Sequence, residues 1–311
     1  MVTRKTEAVM PPALVSRLAA AAGGDVLVGG QALAVWAQHY KVALPEDVVA
    51  ISIDVDFLTR SAANKQSVAK FARVLQGTTF YPSIRALTSL VGQAILEISE
   101  DEYLNVDVIF KIVGIEARRV IERAVRAELT GSSFLVMHPL HVLRSRLINL
   151  YTLRETQNEK GEMQLRLAID VAREFLRDVV AKTPRDTVAS GRSPVQRFVS
   201  EIEQLAIEDA GRKVARRHGI HVADSVDPSL IPPGPFWTKR WPGLRRLMSV
   251  AYAGRFKPPD GDISIAIREP DAAYIATRFR KGRRTPAITI SLPHLQRGRG
   301  TSAKRELRAL R

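Results

Sequence analysis

Apolar and polar residues along the first 135 positions alternate with two periods, which predicts short helices and strands in turn. Apolar residues at spacings of three and four are typical of a helix, and strict alternation is typical of a half-buried strand. The predicted elements are, in order, a helix opened by Pro11 and Pro12, a strand at 25–28, a helix at 31–40, a strand at 51–58, a helix at 64–75 and a hairpin with arms 93–98 and 103–111.

From Pro139 onward the pattern changes to long helices, predicted at 139–153, 162–180 and 195–218. Past Gly219 the chain is interrupted by prolines and glycines, and two strand-like pieces follow at 263–267 and 287–292. The sequence therefore predicts an α+β protein. Its parts are a mixed-sheet domain at 1–135, a helical domain at 136–222 and a C-terminal region at 223–311.

Composition excludes several classes of protein. The 311 residues include no Cys, so disulfide frameworks, thiolate zinc sites, iron–sulfur clusters and cysteine nucleophiles are excluded. No run of about 18 apolar residues is present, so no membrane-spanning helix is expected. The N-terminus lacks the apolar stretch of a secretory signal, and we expect a cytoplasmic protein without a membrane partner.

The net charge of +15 lies almost entirely in the last third of the chain. Residues 1–110 carry 9 basic and 11 acidic residues, 111–210 carry 16 and 14, and 211–311 carry 22 and 7. A neutral body followed by a basic segment predicts contact with a polyanion such as RNA, and a solvated tail is the alternative. The residues expected to contact phosphates are Lys239, Arg240, Arg245, Arg246, Arg278, Arg280, Lys281, Arg283 and Arg284.

Three aromatic residues, Phe236, Trp237 and Trp241, lie among the first of these basic residues. Aromatic rings beside cationic side chains can stack on bases. Packing of the same rings onto the helical domain is the alternative interpretation. Histidines 138, 141, 218 and 221 match no zinc-enzyme spacing.

Carboxylates on the predicted strands indicate a metal site. Asp54 and Asp56 lie two residues apart on the polar face of the 51–58 strand, about 7 Å between Cα atoms. Asp107 lies on the polar face of the second hairpin arm, and Asp101 or Glu97 takes its place if the register is shifted by one residue. Converging carboxylates bind hard cations, so Mg²⁺ is expected, with Mn²⁺ as the alternative ion.

Gly29 and Gly30 precede a predicted helix, and such a turn lets backbone amides approach phosphates. Metal-bound carboxylates beside a phosphate cradle are typical of phosphoryl and nucleotidyl transfer, because the ions stabilise both the attacking and the leaving oxygens.

The order of these motifs resembles the DNA polymerase β-type nucleotidyltransferase superfamily. The motifs are, in chain order, GGQALAVW (29–36), S-x-D-x-D-F with Ser52, Asp54 and Asp56, and Asp107. Within the superfamily they are most similar to the AbiEii-type enzymes of abortive-infection and toxin–antitoxin systems. The resemblance covers about residues 24 to 180. It implies a nucleotidyltransferase catalytic domain at 1–135, with flanking helices.

The resemblance also implies roles for individual residues. Asp54, Asp56 and Asp107 would bind the metals, with Asp107 helping to deprotonate the acceptor. Gly29, Gly30, Ser52, Arg146 and Lys160 would contact the NTP. Arg146 stands where the family usually has Lys, and Lys160 is followed by Gly161 and Glu162 instead of Asp. Glu162 and Asp170 are the remaining substitutes for that Asp.

The expected activity is therefore Mg²⁺-dependent transfer of a nucleotide from an NTP to an acceptor hydroxyl. RNA such as tRNA is the favoured acceptor, and a toxin role with a cognate antitoxin partner follows from the resemblance alone. Two alternatives stay open. One is a catalytically degenerate scaffold that binds nucleic acid, and the other is an interaction subunit neutralised by an acidic protein.

Overall fold

The protein is an α+β fold with one mixed β-sheet. The computed structural model describes residues 5–44, 51–83, 85–129, 131–184 and 193–227, together with a strand at 288–291. The strands are β1 Thr6–Glu7, β2 Val26–Val28, β3 Val55–Leu58, β4 Thr78–Phe80, β5 Leu90–Glu97, β6 Glu102–Ile109, β7 Val125–Leu129, β8 Ser132–Val136 and β9 Ile288–Ser291. The helices are α1 Pro12–Ala21, α2 Gly29–His39, α3 Lys65–Leu75, α4 Ala117–Glu122, α5 Pro139–Thr152, α6 Glu159–Lys182, α7 Pro194–Ile207 and α8 Asp209–His218.

The sheet runs in the order β4-β5-β6-β3-β2-β8-β7-β9, and β1 pairs with the first residues of β6. β3 is parallel to β6 and antiparallel to β2, so β3 lies between the hairpin and the strand that leads into α2. Asp56 is directly opposite both Asp107 of β6 and Val28 of β2. This register brings the end of β2, the middle of β3 and the middle of β6 to one place.

Apolar residues on the opposite face of β3 pack against α3. The Phe57 and Phe71 rings are stacked with centroids 4.3 Å apart, and both side chains are fully buried. Asp25, just before β2, accepts hydrogen bonds from Ser67 Oγ at 2.6 Å and Lys70 Nζ at 2.8 Å on the same helix. Phe57 therefore packs toward α3, and Asp56 projects from the other face of β3.

The helical elements after β8 pack on one another and on α2. The buried Trp36 of α2 donates its indole N–H to the Met137 carbonyl at 2.7 Å, immediately before α5. Helices α5 and α6 form the main contact of this part, and α2 packs on both.

The prediction of a single helix at 195–218 is wrong, because the structure has two helices there. Glu208 is extended with ψ 158° and separates α7 from α8. A Cβ on Gly211 would lie 2.1 Å from the Leu205 carbonyl oxygen, so α8 begins pressed against the end of α7. Both helices bury apolar residues at helical spacing, so the pattern continued across the break.

The other predicted elements are confirmed with shifts of a few residues, apart from the 51–58 strand. Strand β9 confirms the prediction at 287–292, whereas the prediction at 263–267 lies outside the described residues. Strands β1, β4, β7 and β8 and helix α4 were not predicted. Among the helices that the structure describes, none combines the length and the apolar character needed to cross a bilayer.

His141 of α5 makes the stability of the fold sensitive to acid. The side chain is buried, and its burial together with the positive charges of Arg123 and Arg144 lowers the pKa of His141 to about 3. The unfolded chain therefore binds this proton at a higher pH, near 6.5, and stability falls as the pH drops from that value toward 3. Between pH 7 and pH 5 we expect the unfolding free energy of the wild type to fall by about 2 kcal/mol more than that of His141→Asn.

Urea unfolding at the two pH values measures this difference, with the drop in unfolding free energy compared within each protein. Comparison within each protein separates titration from the packing that the substitution changes. An identical drop in the wild type and in His141→Asn would contradict the expectation.

Candidate metal and nucleotide site

Three carboxylates predicted as metal ligands lie together at the centre of the sheet. One oxygen from each of Asp54, Asp56 and Asp107 lies within 4.8 Å of the other two, and all three residues are half-buried. Asp56 and Asp107 meet because their strands are parallel neighbours in direct register. Oxygen ligands at this separation suit Mg²⁺ or Mn²⁺.

Asp54 reaches this cluster by a route that the sequence did not predict. The expected strand at 51–58 begins only at Val55, so Asp54 precedes the ladder. The carbonyls of residues 51, 52 and 53 accept hydrogen bonds from Gln164 Nε2, Gln31 Nε2 and the Met10 N–H. Contacts with other elements, and not alternation along a strand, therefore position this segment.

Ser52 orients Asp54 within this segment. Its hydroxyl donates to Asp54 Oδ1 at 2.8 Å, and only 8% of the residue is exposed. The structure thus connects Ser52 with the acidic cluster through Asp54.

Two amides hold Asp107 in place. Gln93 Nε2 and Asn105 Nδ2 both donate to Asp107 Oδ1 at 2.8 Å, which leaves Oδ2 for a cation. The alternative third carboxylates do not join the cluster, since Glu97 pairs with Lys5 and Asp101 is exposed in the hairpin turn. The register prediction for Asp107 is confirmed.

The electrostatics of the cluster favour a bound cation. Burial raises the pKa of Asp56 well above its usual range, and the neighbouring charges of Asp54 and Asp107 raise it further. Burial likewise raises the pKa of Asp107, against the effect of its two amide donors. The side-chain hydrogen bonds at the cluster go to Asp54 and Asp107, and none among the described residues goes to the Asp56 carboxylate. The carboxylates therefore repel one another with little nearby positive charge. A bound divalent ion would relieve this repulsion.

Glu7 is a fourth carboxylate at the site, and the sequence analysis missed it. It lies on β1 opposite Tyr103, and burial followed by the charges of Asp54 and Asp107 raises its pKa. Its Oε1 is buried without a hydrogen-bond partner in the described part of the chain. A two-residue strand has no periodicity to detect, so only the pairing of β1 with β6 reveals this neighbour.

The two glycines before α2 are pressed against the acidic residues. Gly29 has φ +66°, and a Cβ there would lie 1.9 Å from Asp56 Oδ2. A Cβ on Gly30 would lie 2.4 Å from Ser52 Oγ. Neither position therefore has room for a side chain. The first N–H groups of α2 lie directly beside the carboxylates, and N–H groups at a helix N-terminus are favourable binding sites for phosphates.

Arg146 is a buried cationic side chain whose charge acts on Asp56 and Asp54. Its Nη1 donates to Gln164 Oε1 at 3.1 Å, and the same Gln164 holds the carbonyl of Ile51. Burial lowers the pKa of Arg146, whereas the charges of Asp56 and Asp54 raise it. Its Nε is buried without a partner among the described residues. The geometry leaves a donor for an anionic group.

The remaining predicted positions on α6 are less closely connected with the cluster. Lys160 is exposed, and its positive charge opposes the rise in the pKa of Glu7 only weakly compared with burial and the aspartate charges. Glu162 is bonded to His218 at 2.8 Å, and Asp170 pairs with Arg173 at 2.8 Å. Neither carboxylate belongs to the acidic cluster.

The four histidines also lie outside the acidic cluster. His138 caps α5 by accepting the Leu140 N–H on Nδ1, and its ring packs against Phe175 and Phe198.

The nine basic residues predicted to contact nucleic acid, Lys239 to Arg284, all lie outside the described residues, as do the three aromatic residues beside them.

A different basic surface is present on α8. Its cationic side chains Arg212, Lys213, Arg216 and Arg217 are exposed, and the buried residues of the helix face the other way. Lys213 pairs with Asp209 at 2.7 Å. The alternation of buried and basic residues in 209–218 was the signal available in the sequence.

We expect millimolar Mg²⁺ or Mn²⁺ to raise the melting temperature of the protein. A ligand that binds only the folded state stabilises it, by about 2.7 kcal/mol at a hundredfold excess over Kd. Asp107→Asn should reduce this shift strongly, because it removes one ligand charge. Asp101→Asn is the matched control, since it changes an exposed carboxylate on the same hairpin. Equal shifts in both variants would contradict a site at Asp107.

None of the protein-family models compared with the chain matches it, and no curated protein is significantly similar to it.

Proposed function

We propose that the protein is a Mg²⁺-dependent nucleotidyltransferase that moves a nucleotide from an NTP to an acceptor hydroxyl. The observation that carries this proposal is the convergence of Asp54, Asp56 and Asp107 directly beside Gly29 at the start of α2. Cation ligands and phosphate-binding amides at one point are what nucleotidyl transfer requires. The motif order that resembles the DNA polymerase β-type superfamily, and AbiEii-type enzymes within it, supports the same proposal.

In the proposed reaction the acceptor hydroxyl oxygen attacks the α-phosphorus of the NTP. A new P–O bond forms there, the bond to the β-phosphate oxygen breaks, and pyrophosphate leaves with the electron pair. The hydroxyl proton passes to Asp107, whose two amide donors bind Oδ1 and leave Oδ2 to accept it. The metal, held by the three aspartates, would neutralise charge on the phosphates. The amides at Gly29 and Gly30 would hold the triphosphate, with Arg146 and Lys160 as its cationic contacts.

We propose the finer architecture on the same basis. Residues 1–135 would form the nucleotidyltransferase domain, 136–222 a helical domain that supplies Arg146 and Lys160, and 223–311 a basic region that contacts the acceptor. RNA is the favoured acceptor because of the charge of the last third, and the exposed basic side of α8 supports a polyanionic partner.

Incubation of the protein with each labelled NTP, Mg²⁺ and total RNA or candidate protein acceptors tests the proposal. We expect label on an acceptor with the wild type and with Asp101→Asn, and none with Asp56→Ala. Label transfer that Asp56→Ala leaves unchanged would reject the assignment of the site.

A nucleic-acid-binding protein on a degenerate transferase scaffold is the second candidate. It is favoured by one observation, that Glu162 is engaged with His218 and so does not replace the missing Asp after Lys160. This candidate predicts salt-sensitive RNA binding by the full chain without transfer of label to any acceptor.

A toxin role is a further proposal that the resemblance to AbiEii-type enzymes carries. Expression should then arrest growth, and Asp54→Ala should relieve the arrest at equal protein level. Arrest that persists with Asp54→Ala would separate any toxicity from nucleotidyl transfer.

A further inference from the structure

A single row of residues crosses four strands on the face of the sheet that carries the carboxylates. Asp56 of β3 is opposite Asp107 of β6, Asp107 is opposite Gln93 of β5, and Gln93 is opposite Phe80 of β4. Directly opposed residues project from the same face of a sheet. The hydrogen bond from Gln93 Nε2 to Asp107 Oδ1 agrees with this arrangement.

Phe80 ends this row with half of its side chain in solvent. It is 50% exposed, and it lies on the edge strand of the sheet order. Single exposed apolar residues are common, so exposure alone has no meaning. The register is the informative observation, because it places an accessible aromatic ring two strand spacings, about 10 Å, from Asp107.

The direction of the row decides which substrate meets the ring. Val28 and the glycines that follow it lie on the other side of Asp56, where β2 pairs with β3. The triphosphate and its leaving pyrophosphate belong on that side, beside the N-terminus of α2. In-line displacement places the attacking oxygen opposite the leaving group, so the acceptor approaches over β6, β5 and β4.

We infer that Phe80 is a stacking platform for a base at the end of an RNA acceptor strand. This inference rests on the proposed function, and it adds the path of the RNA acceptor and the residue that contacts its base. Aromatic rings stack on any base with little sequence preference, and about 10 Å is a span that the last nucleotides of a strand cover. Gln93 lies between the ring and Asp107, and its amide Nε2 is engaged with Asp107 Oδ1.

Binding of a short fluorescent single-stranded RNA to the full-length protein, measured by anisotropy at fixed salt, tests the platform. We expect Phe80→Ala to weaken binding about tenfold or more, and Phe80→Trp to retain wild-type affinity or exceed it. Ile98→Ala is the matched control, since it removes an apolar side chain of similar exposure (53%) from the turn of the neighbouring β5–β6 hairpin. The Mg²⁺-dependent shift in melting temperature should be unchanged in Phe80→Ala, which shows an intact fold and metal site.

An RNA that lacks the base at its last or preceding nucleotide gives the sharper comparison. The wild type should bind the abasic strand more weakly than the complete strand. Phe80→Ala should bind the two strands equally, because the ring and the base contribute through one shared interaction. Equal RNA affinity of the wild type and Phe80→Ala would overturn the platform. So would transfer of label by the wild type to protein acceptors only, without RNA binding.

The outcomes separate this inference from the function on which it rests. If no acceptor is labelled but Phe80→Ala and the abasic strand both lose affinity, nucleotidyl transfer fails and the ring still binds a base. If RNA is labelled and Phe80→Ala labels it with an unchanged KM for RNA, the function stands and the platform fails.

Discussion

Replacement of Asp56 by Asn should abolish nucleotidyl transfer and at the same time stabilise the metal-free protein. Asp56 belongs to the acidic cluster, in which its carboxylate and those of Asp54 and Asp107 offer oxygens within 4.8 Å of one another. Loss of one ligand charge removes several kcal/mol of stabilisation of the phosphoryl transition state, which is about a thousandfold or more in rate. Initial rates of label transfer at saturating NTP and Mg²⁺ measure this loss.

The gain in stability follows from the same charges. Because the fold raises the pKa of Asp56, the folded state holds this proton more tightly than the unfolded chain does. Its contribution to stability is therefore complete below the unfolded pKa of about 3.9 and is lost as the pH rises through the folded value. The neutral Asn avoids that loss, and we expect about 1 kcal/mol or more of added stability at pH 7 without metal.

Thermal unfolding in EDTA at pH 7 compares Asp56→Asn with Asp101→Asn, whose carboxylate is exposed. Only the first variant should melt at a higher temperature than the wild type, and Mg²⁺ should remove its advantage by stabilising the wild type. A variant that is less stable in EDTA and still active would assign Asp56 to the structural framework.

Replacement of Gly29 by Ala should disrupt the site more than an ordinary substitution at a left-handed glycine. The new Cβ would lie 1.9 Å from Asp56 Oδ2, so either the carboxylate or the start of α2 must move. We expect transfer activity to fall at least a hundredfold, since displacement of reacting groups by about 1 Å costs that much. The Mg²⁺-dependent shift in melting temperature should fall with it.

Gly23→Ala is the matched control for this substitution. Gly23 has φ +64°, close to the φ +66° of Gly29, but a Cβ there meets no atom within 4 Å. Both variants carry the backbone cost of a left-handed Ala, about 1–2 kcal/mol, and only Gly29→Ala adds the collision. Equal activity in the two variants would show that the contact with Asp56 has no role in the reaction.

Much of the local structure was predictable from apolar spacing. The helix after Gly29, the helix at α3 and the β5–β6 hairpin all follow from periods that persist over several residues. Elements with short or interrupted patterns were not predictable. Strands β1 and β4 span two and three residues, and the break at Glu208 lies within a continuous apolar pattern.

The candidate site divides in the same way. Alternation along the hairpin placed Asp107 on the polar face, and the structure confirms it beside Asp56. The same argument failed for Asp54, because a strand was predicted where the chain is held by Gln31, Gln164 and Met10 instead. The three carboxylates do lie together, as predicted. Alternation along a strand was the wrong reason for Asp54, because β3 begins only at Val55.

The sequence by itself determined which residue types are available for chemistry, namely paired aspartates, adjacent glycines and a basic last third. Tertiary structure decided which of them meet. Glu7, Gln93 and Phe80 are brought toward the acidic residues only through strand pairing, and pairing partners that lie 13 to 96 residues apart leave no local period in the chain. Local spacing fixes the face on which a side chain lies, whereas strand register fixes its neighbours.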